Sequence, residues 1–219
     1  MNSTVFDSND FFVHVFVSLP EEDYHCCKSV LDSELKHYNI KYRLNIIQSA
    51  CEIEDTIKDS ISQEGISPRH FFLWFFHANQ DSMDFANGEE LDWDEFAKII
   101  FSQDYGVDKS NICLCACESL YASFAITPEV ESEKVNNFIA SPIPISIDEA
   151  VINACQFLND IKAGKKLQES TVPPFRLIRG EDLKTIAQLQ ATKKPGGKFA
   201  AFFMQCLLPE YYRYDDKSL

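Results

Sequence analysis

Two apolar runs constrain this chain more than anything else in it. The first is His70-Phe71-Phe72-Leu73-Trp74-Phe75-Phe76-His77-Ala78-Asn79, and the second is Asn111-Ile112-Cys113-Leu114-Cys115-Ala116-Cys117-Glu118-Ser119. A strand with one wet face alternates polar and apolar residues. These runs are continuous, as strands of a parallel sheet covered on both faces are. Both turn polar at their C-terminal ends, and in an open α/β sheet that edge is where ligands bind and reactive groups collect. A histidine and a cysteine there, on neighbouring strands, form a candidate thiolate–imidazolium pair, the nucleophile and general base of a cysteine hydrolase.

The segments around these runs fit the same sheet. Phe11 to Leu19 is rich in β-branched and aromatic residues and stops at Pro20, which predicts a first strand. His14, in the middle of that strand, is expected to be a satisfied core histidine. Glu21, Glu22 and Asp23 give the acidic first turn that a helix N-terminus favours, and Tyr24, Cys27, Val30, Leu31 and Leu35 follow at helical spacing. A second strand over Tyr42–Ile47 and a second helix over Glu52–Ser62 lead to the His70 strand. After it come a polar loop with the turn signal Asn87-Gly88, suited to a small hairpin, and a helix capped at Asp92 with Glu95 three residues on. A short helix is expected over Glu118–Ala125, stopped by Pro128, then a strand over Asn137–Pro142. Ser146 is the cap of a helix ending at Gly164. Strand–helix alternation with short connections implies a parallel sheet with crossover helices. Beyond Pro173-Pro174 an edge strand over Phe175–Ile178, a helix over Glu181–Ala191 and an element over Lys198–Leu208 are expected. Tyr211-Tyr212-Arg213-Tyr214 is expected to pack on the chain's own domain.

Composition narrows the function classes. The chain has 219 residues and a net charge of −14, which argues against general affinity for nucleic acid or an anionic membrane surface. Its 8 cysteines are not spaced as a disulfide framework: Cys26 and Cys27 are adjacent, and Cys113, Cys115 and Cys117 alternate along one predicted strand. Cysteine in apolar runs behaves as a small buried hydrophobe, so the expected compartment is a reducing cytoplasm. A metal site through Cys113, Cys115 and Cys117 lacks the partner ligand pairs that such sites carry. No basic leader followed by an apolar segment begins the chain, and no stretch approaches a membrane span. No cofactor is expected: no glycine-rich phosphate loop follows the first strand, which sets aside a nucleotide-binding α/β domain.

The ordered set of motifs resembles the caspase-like cysteine peptidases, most closely their CHAT-domain branch. The resemblance is carried by Trp74-Phe75-Phe76-His77-Ala78-Asn79, by Gly88-Glu89-Glu90-Leu91 through Phe96, and by Leu114-Cys115-Ala116-Cys117-Glu118-Ser119. It continues in Ile139-Ala140-Ser141-Pro142 and in the helix from Ser146-Ile147-Asp148-Glu149 to Gly164, and covers roughly residues 10 to 170. It implies an α/β, caspase-like three-layer α-β-α sandwich with a mainly parallel sheet over 1–170, and a C-terminal extension over 171–219 packed on the same domain. It implies His77 and Cys117 as the catalytic dyad, the amides of Ala78 and Cys117 as the oxyanion hole, and Cys115, Asp81 and Glu118 as substrate contacts. The implied activity is hydrolysis of peptide bonds in a protein or peptide substrate, with a regulatory protein partner and regulated activation. The loop from Ile126 to Val135 is the expected control segment.

Two positions depart from the family pattern. Ala78 stands where a glycine usually follows the histidine, and Cys115 stands where specific members carry a polar or acidic substrate-reading residue. Alanine preserves the N–H contact only with a negative φ. The alternative reading is a caspase-like module without peptidase activity that binds or scaffolds a partner. The acidic residues Glu21, Glu22, Asp23, Asp81 and Asp84 are read as a solvated charged surface, with a preference for basic substrates as the sharper option.

Overall fold

The computed structural model describes residues 11–62, 69–102, 110–129, 135–180 and 182–183, without the side chains of 101–102 and 126–129. The aromatic and β-branched residues of Phe12–Ser18 form β1, buried along its whole length. The other strands are β2 (Tyr42–Ile46), β3 (His70–Ala78), β4 (Ser82–Asp84), β5 (Glu90–Asp92), β6 (Ser110–Cys115), β7 (Val135–Ala140) and β8 (Arg176–Arg179). The sheet runs in the order β2-β1-β3-β6-β7-β8. All neighbours on that path are parallel except β7 and β8, which are antiparallel. β3 and β6, the two apolar runs, are central neighbours, with Leu73 opposite Cys113 and Phe75 opposite Cys115.

Because side chains alternate across a strand, each run feeds two cores. Phe72, Trp74 and Phe76 of β3 join Ile112 and Leu114 of β6 under α2 (Ile53–Ser62), α3 (Trp93–Ser102) and α4 (Ala122–Glu129), through residues such as Ile57, Phe96 and Ala125. Phe71, Leu73 and Phe75 join Cys113 and Cys115 under α1 (Glu21–His37) and α5 (Ile147–Lys162), through Leu31, Leu35, Val151 and Leu158. Phe71 and Phe75 are both completely buried. This double coverage is why neither run alternates, and it makes the three-layer α-β-α sandwich expected from sequence.

The local signals are also found. Ser146 Oγ accepts from the Glu149 amide at 3.2 Å, Asp92 Oδ1 accepts from the Glu95 amide at 2.7 Å, and Gly164 ends α5 with φ +83°. Gly88, also at φ +83°, serves the turn of the β4–β5 hairpin. His14 is a satisfied core histidine, hydrogen-bonded to Ser60 Oγ at 2.7 Å and to His70 Nδ1 at 2.8 Å.

Some boundaries differ. β6 stops at Cys115, so Ala116 and Cys117 leave the ladder instead of ending the strand. A short 3₁₀ turn over Ser119–Tyr121 precedes α4, which runs one residue past Pro128, and β7 lies two residues earlier than its apolar run suggests. The expected control loop begins inside α4, and its residues 130–134 lie outside the described residues. β8 adds to the far edge of the same sheet, through a short helix α6 (Leu167–Ser170). The elements expected over Lys198–Leu208 and Tyr211–Tyr214, and most of the helix over Glu181–Ala191, lie outside the described residues.

Candidate active site

His77 is the penultimate residue of β3, just past the point where β1 ends. It belongs to the odd-numbered series of β3 that faces α1 and α5, as do Leu73 and Phe75. Cys117 lies two residues past Cys115 in the β6 series that faces the same way, and its partly buried side chain packs against that core. The last paired residues of the two strands are Phe75 and Cys115, so His77 and Cys117 each stand two residues beyond the end of the β3–β6 ladder. The sheet thus sets both residues on one face, at the C-terminal edge of adjacent parallel strands.

Their hydrogen bonds run elsewhere. His77 Nε2 lies 3.1 Å from Asp23 Oδ2, on the first turn of α1. Cys117 Sγ donates to Ile145 O at 3.2 Å and accepts from Ile145 N at 3.3 Å. Among the described residues no hydrogen bond joins His77 to Cys117.

The turn carrying Cys117 is fixed from below. Ser119, fully buried, donates to Leu114 O at 3.0 Å and Ala116 O at 2.9 Å, and its Oγ accepts from the Ser141 amide at 3.2 Å. The Glu118 amide donates to Ile143 O at 3.2 Å and the Leu120 amide to Ser141 O at 2.9 Å. Glu118 itself takes the left-handed conformation, φ +48°, uncommon for a residue with a side chain. This reversal lifts the chain off the β6 axis immediately after the thiol.

Ala78 meets the geometric condition set by the sequence. The non-glycine residues with positive φ are Asn39 and Glu118 among those described, so Ala78 is not in the left-handed region. Along β3, backbone polar groups alternate sides. Arg69 O accepts from the Phe12 amide at 3.0 Å, which turns odd-numbered residues toward β1, and the Asn79 amide donates to Ser82 O of the hairpin at 3.0 Å. Alternation turns the Ala78 amide the other way, to the side of β3 on which β6 lies and on which Cys117 follows.

The expected substrate contacts separate. Cys115 has no exposed surface, its sulfur is 3.5 Å from that of Cys113, and burial raises its thiol well above the ordinary range. A substrate side chain does not reach it in this structure, because Cys115 lies two residues deeper than Cys117 on the same face of the sheet, covered by the core under α1 and α5. Asp81 is exposed in the tight turn between β3 and β4, where Asn79 Oδ1 accepts from its amide at 2.7 Å. Glu118 Oε1 accepts from Gln80 Nε2 at 2.9 Å, which ties the loop after the histidine to the turn after the cysteine. Asp23 and the backbone of Ile145 are the contacts that sequence reasoning did not assign to the pair. An acidic first turn of α1 gave no signal that one of its carboxylates meets His77.

The remaining thiols differ from Cys117. Cys27 and Cys155 are buried between α1 and α5, and burial pushes both up to about 12. Every cysteine among the described residues is a free thiol. No group of three or more His, Cys, Asp or Glu side chains among the described residues is arranged to hold a metal ion.

No family model and no curated protein matches the chain. Among solved structures it is similar to a secreted C11 cysteine protease from Bacteroides thetaiotaomicron, "iotapain". The superposition covers 81% of this chain and 68% of that one, with 10% sequence identity and a TM-score of 0.55. At that identity the likeness is one of fold. The chain therefore has a caspase-like fold: a mostly parallel sheet between two helical layers, as in a C11 cysteine protease, with His77 and Cys117 at the C-terminal edge of its two central strands.

Proposed function

We propose that the chain is a cysteine endopeptidase in which His77 and Cys117 act as general base and nucleophile on peptide bonds of a protein substrate. The observation that carries this reading is their shared position: His77 near the end of β3 and Cys117 two residues past the end of the adjacent parallel strand β6, on the α1/α5 side at the same edge of the sheet. The order of the sequence motifs favours the CHAT branch among caspase-like peptidases.

In the proposed cycle His77 takes the thiol proton and the Cys117 thiolate attacks the substrate carbonyl carbon. The amides of Ala78 and Cys117 stabilise the resulting oxyanion. The C–N bond then breaks as the imidazolium gives its proton to the leaving amine, and a thioester remains on Cys117. Water, deprotonated by His77, attacks that thioester, and the carboxylic acid product leaves as the thiol reforms. The free thiols suit a reducing compartment such as the cytoplasm.

One observation favours the second reading, a binding module without turnover. The Cys117 thiol is satisfied by Ile145 and the His77 ring by Asp23, not by each other. In the peptidase reading this is a resting state that substrate or a regulatory partner rearranges, since catalytic hydrogen bonds often tighten only in the substrate complex. Incubating the chain with an unfolded protein substrate and mapping new termini by mass spectrometry separates the two readings. Cleavage by the wild type that is lost in both Cys117→Ala and His77→Ala supports the peptidase. Cleavage retained in either variant removes the dyad, and no cleavage by the wild type leaves the binding module as the better reading.

A further inference from the structure

We infer that Asp23 is a positioning residue that completes an Asp–His–Cys triad; this rests on the peptidase reading above. The sequence motifs point to a dyad and call for no third group. The structure nevertheless brings the first turn of α1 over the end of β3, where Asp23 Oδ2 lies 3.1 Å from His77 Nε2, within hydrogen-bond range. The two residues are 54 apart in sequence, so the contact is made by the fold and not by a local turn.

The consequence follows from imidazole chemistry. A neutral imidazole carries one N–H and one lone pair, and the partner of one nitrogen decides which is which. A carboxylate accepts only, so at Asp23 the nitrogen Nε2 must carry the proton. Nδ1 is then the basic nitrogen left for the Cys117 thiol. When Nδ1 takes the thiol proton, the ring becomes a cation and the same carboxylate stabilises it. Asp23 exchanges no proton in this scheme. It fixes the tautomer, limits rotation of a ring at the end of a strand, and favours the charged form during acyl transfer.

The site differs from a deeply buried triad in the size of the effect. Both side chains are nearly half exposed, 44% for His77 and 45% for Asp23, so solvent screens their attraction. A loss of about tenfold on removing the charge is expected, well below the factors seen for buried triad carboxylates. Glu21 and Glu22 share the first turn with Asp23, but their side chains make no hydrogen bond to His77.

The test compares Asp23→Asn and Asp23→Glu with the wild type in two measurements. One is ¹⁵N NMR of the His77 ring, which reports the tautomer whether or not the protein turns over. The other is steady-state cleavage of a quenched fluorogenic peptide library. Expected are an Nε2–H ring in the wild type, a shift toward Nδ1–H in Asp23→Asn, a kcat about tenfold lower at similar KM, and partial recovery of both in Asp23→Glu. An active wild type whose Asp23→Asn variant keeps either its tautomer or its kcat overturns the role of Asp23 and leaves the dyad standing. A wild type that cleaves nothing overturns the peptidase reading itself, and the triad with it.

Discussion

His14 and His77 occupy the two ends of the same sheet and face opposite layers. His14 lies near the start of β1, on the α2 side, with no exposed surface, and its two ring nitrogens are taken by Ser60 and His70. Burial, then His70 and Arg43, hold it down to about 3 from an ordinary 6.5. It stacks on Phe72 at 5.0 Å between ring centres, in surroundings that disfavour its charged form. His77 is half exposed and has one nitrogen on a carboxylate and the other available for chemistry. The residue type is the same and the secondary structure is the same. What separates a structural histidine from a candidate base is whether the strand end leaves it solvent and a free lone pair.

Substituting each histidine is the strongest way to break this contrast. His77→Ala is expected to lower cleavage by roughly 10²- to 10⁴-fold, the range of a lost general base, with little change in melting temperature. His14→Ala is expected to do the opposite. It removes the ring that bonds Ser60 Oγ and His70 Nδ1 and opens a cavity, at a cost of about 3 kcal/mol in urea unfolding. Equal losses of stability in the two variants would erase the distinction.

Acid sharpens it further. Because the folded-state value of His14 lies below its unfolded value, the unfolded chain alone takes up that proton between about pH 6.5 and 3. Stability is then lost as pH falls through this window, by up to about 1.4 kcal/mol per unit, and is fully present above it. Urea melts at pH 7 and pH 5 should show a steeper decline for the wild type than for His14→Gln. Parallel declines would mean that the buried pair does not govern acid sensitivity.

Two smaller effects probe the nucleophile edge. Ser119→Ala removes the hydroxyl that ties Leu114, Ala116 and Ser141 together, and should cost about 1–2 kcal/mol in thermal unfolding. Ala78→Gly should change cleavage less than about twofold and stability by under about 1 kcal/mol, because the Ala78 backbone has no need of glycine's conformational range. A large gain in rate would show that the alanine methyl obstructs substrate.

The sheet was legible in the sequence because double burial erases polar alternation, and β3 and β6 carry that signature over most of their length. The caps at Asp92 and Ser146 and the stop at Gly164 were legible because each is local chemistry. The end of β6 was not: Ala116 and Cys117 read as strand by composition, and only the left-handed Glu118 with the buried Ser119 knot breaks the ladder there. Nor was the fate of Cys115, whose identity does not say how far α1 and α5 cover the face that it shares with Cys117. The Asp23–His77 contact depends on how α1 packs across the sheet end, a tertiary fact that no window of sequence holds. The acidic first turn of α1 suggests solvated charge, yet Asp23 meets His77 across the fold, while Glu21 has only a local neighbour, His25, at 3.7 Å.

The central claim is that His77 acts on Cys117, and the most direct test is the rate at which Cys117 is alkylated in the native protein. Iodoacetamide at pH 6.5, quenched over time and read by peptide mass spectrometry, gives that rate beside those of exposed Cys26 and Cys51. The pairing predicts that Cys117 reacts at least tenfold faster than Cys51 and that His77→Ala removes this advantage. Equal rates at Cys117 in the wild type and in His77→Ala would contradict it.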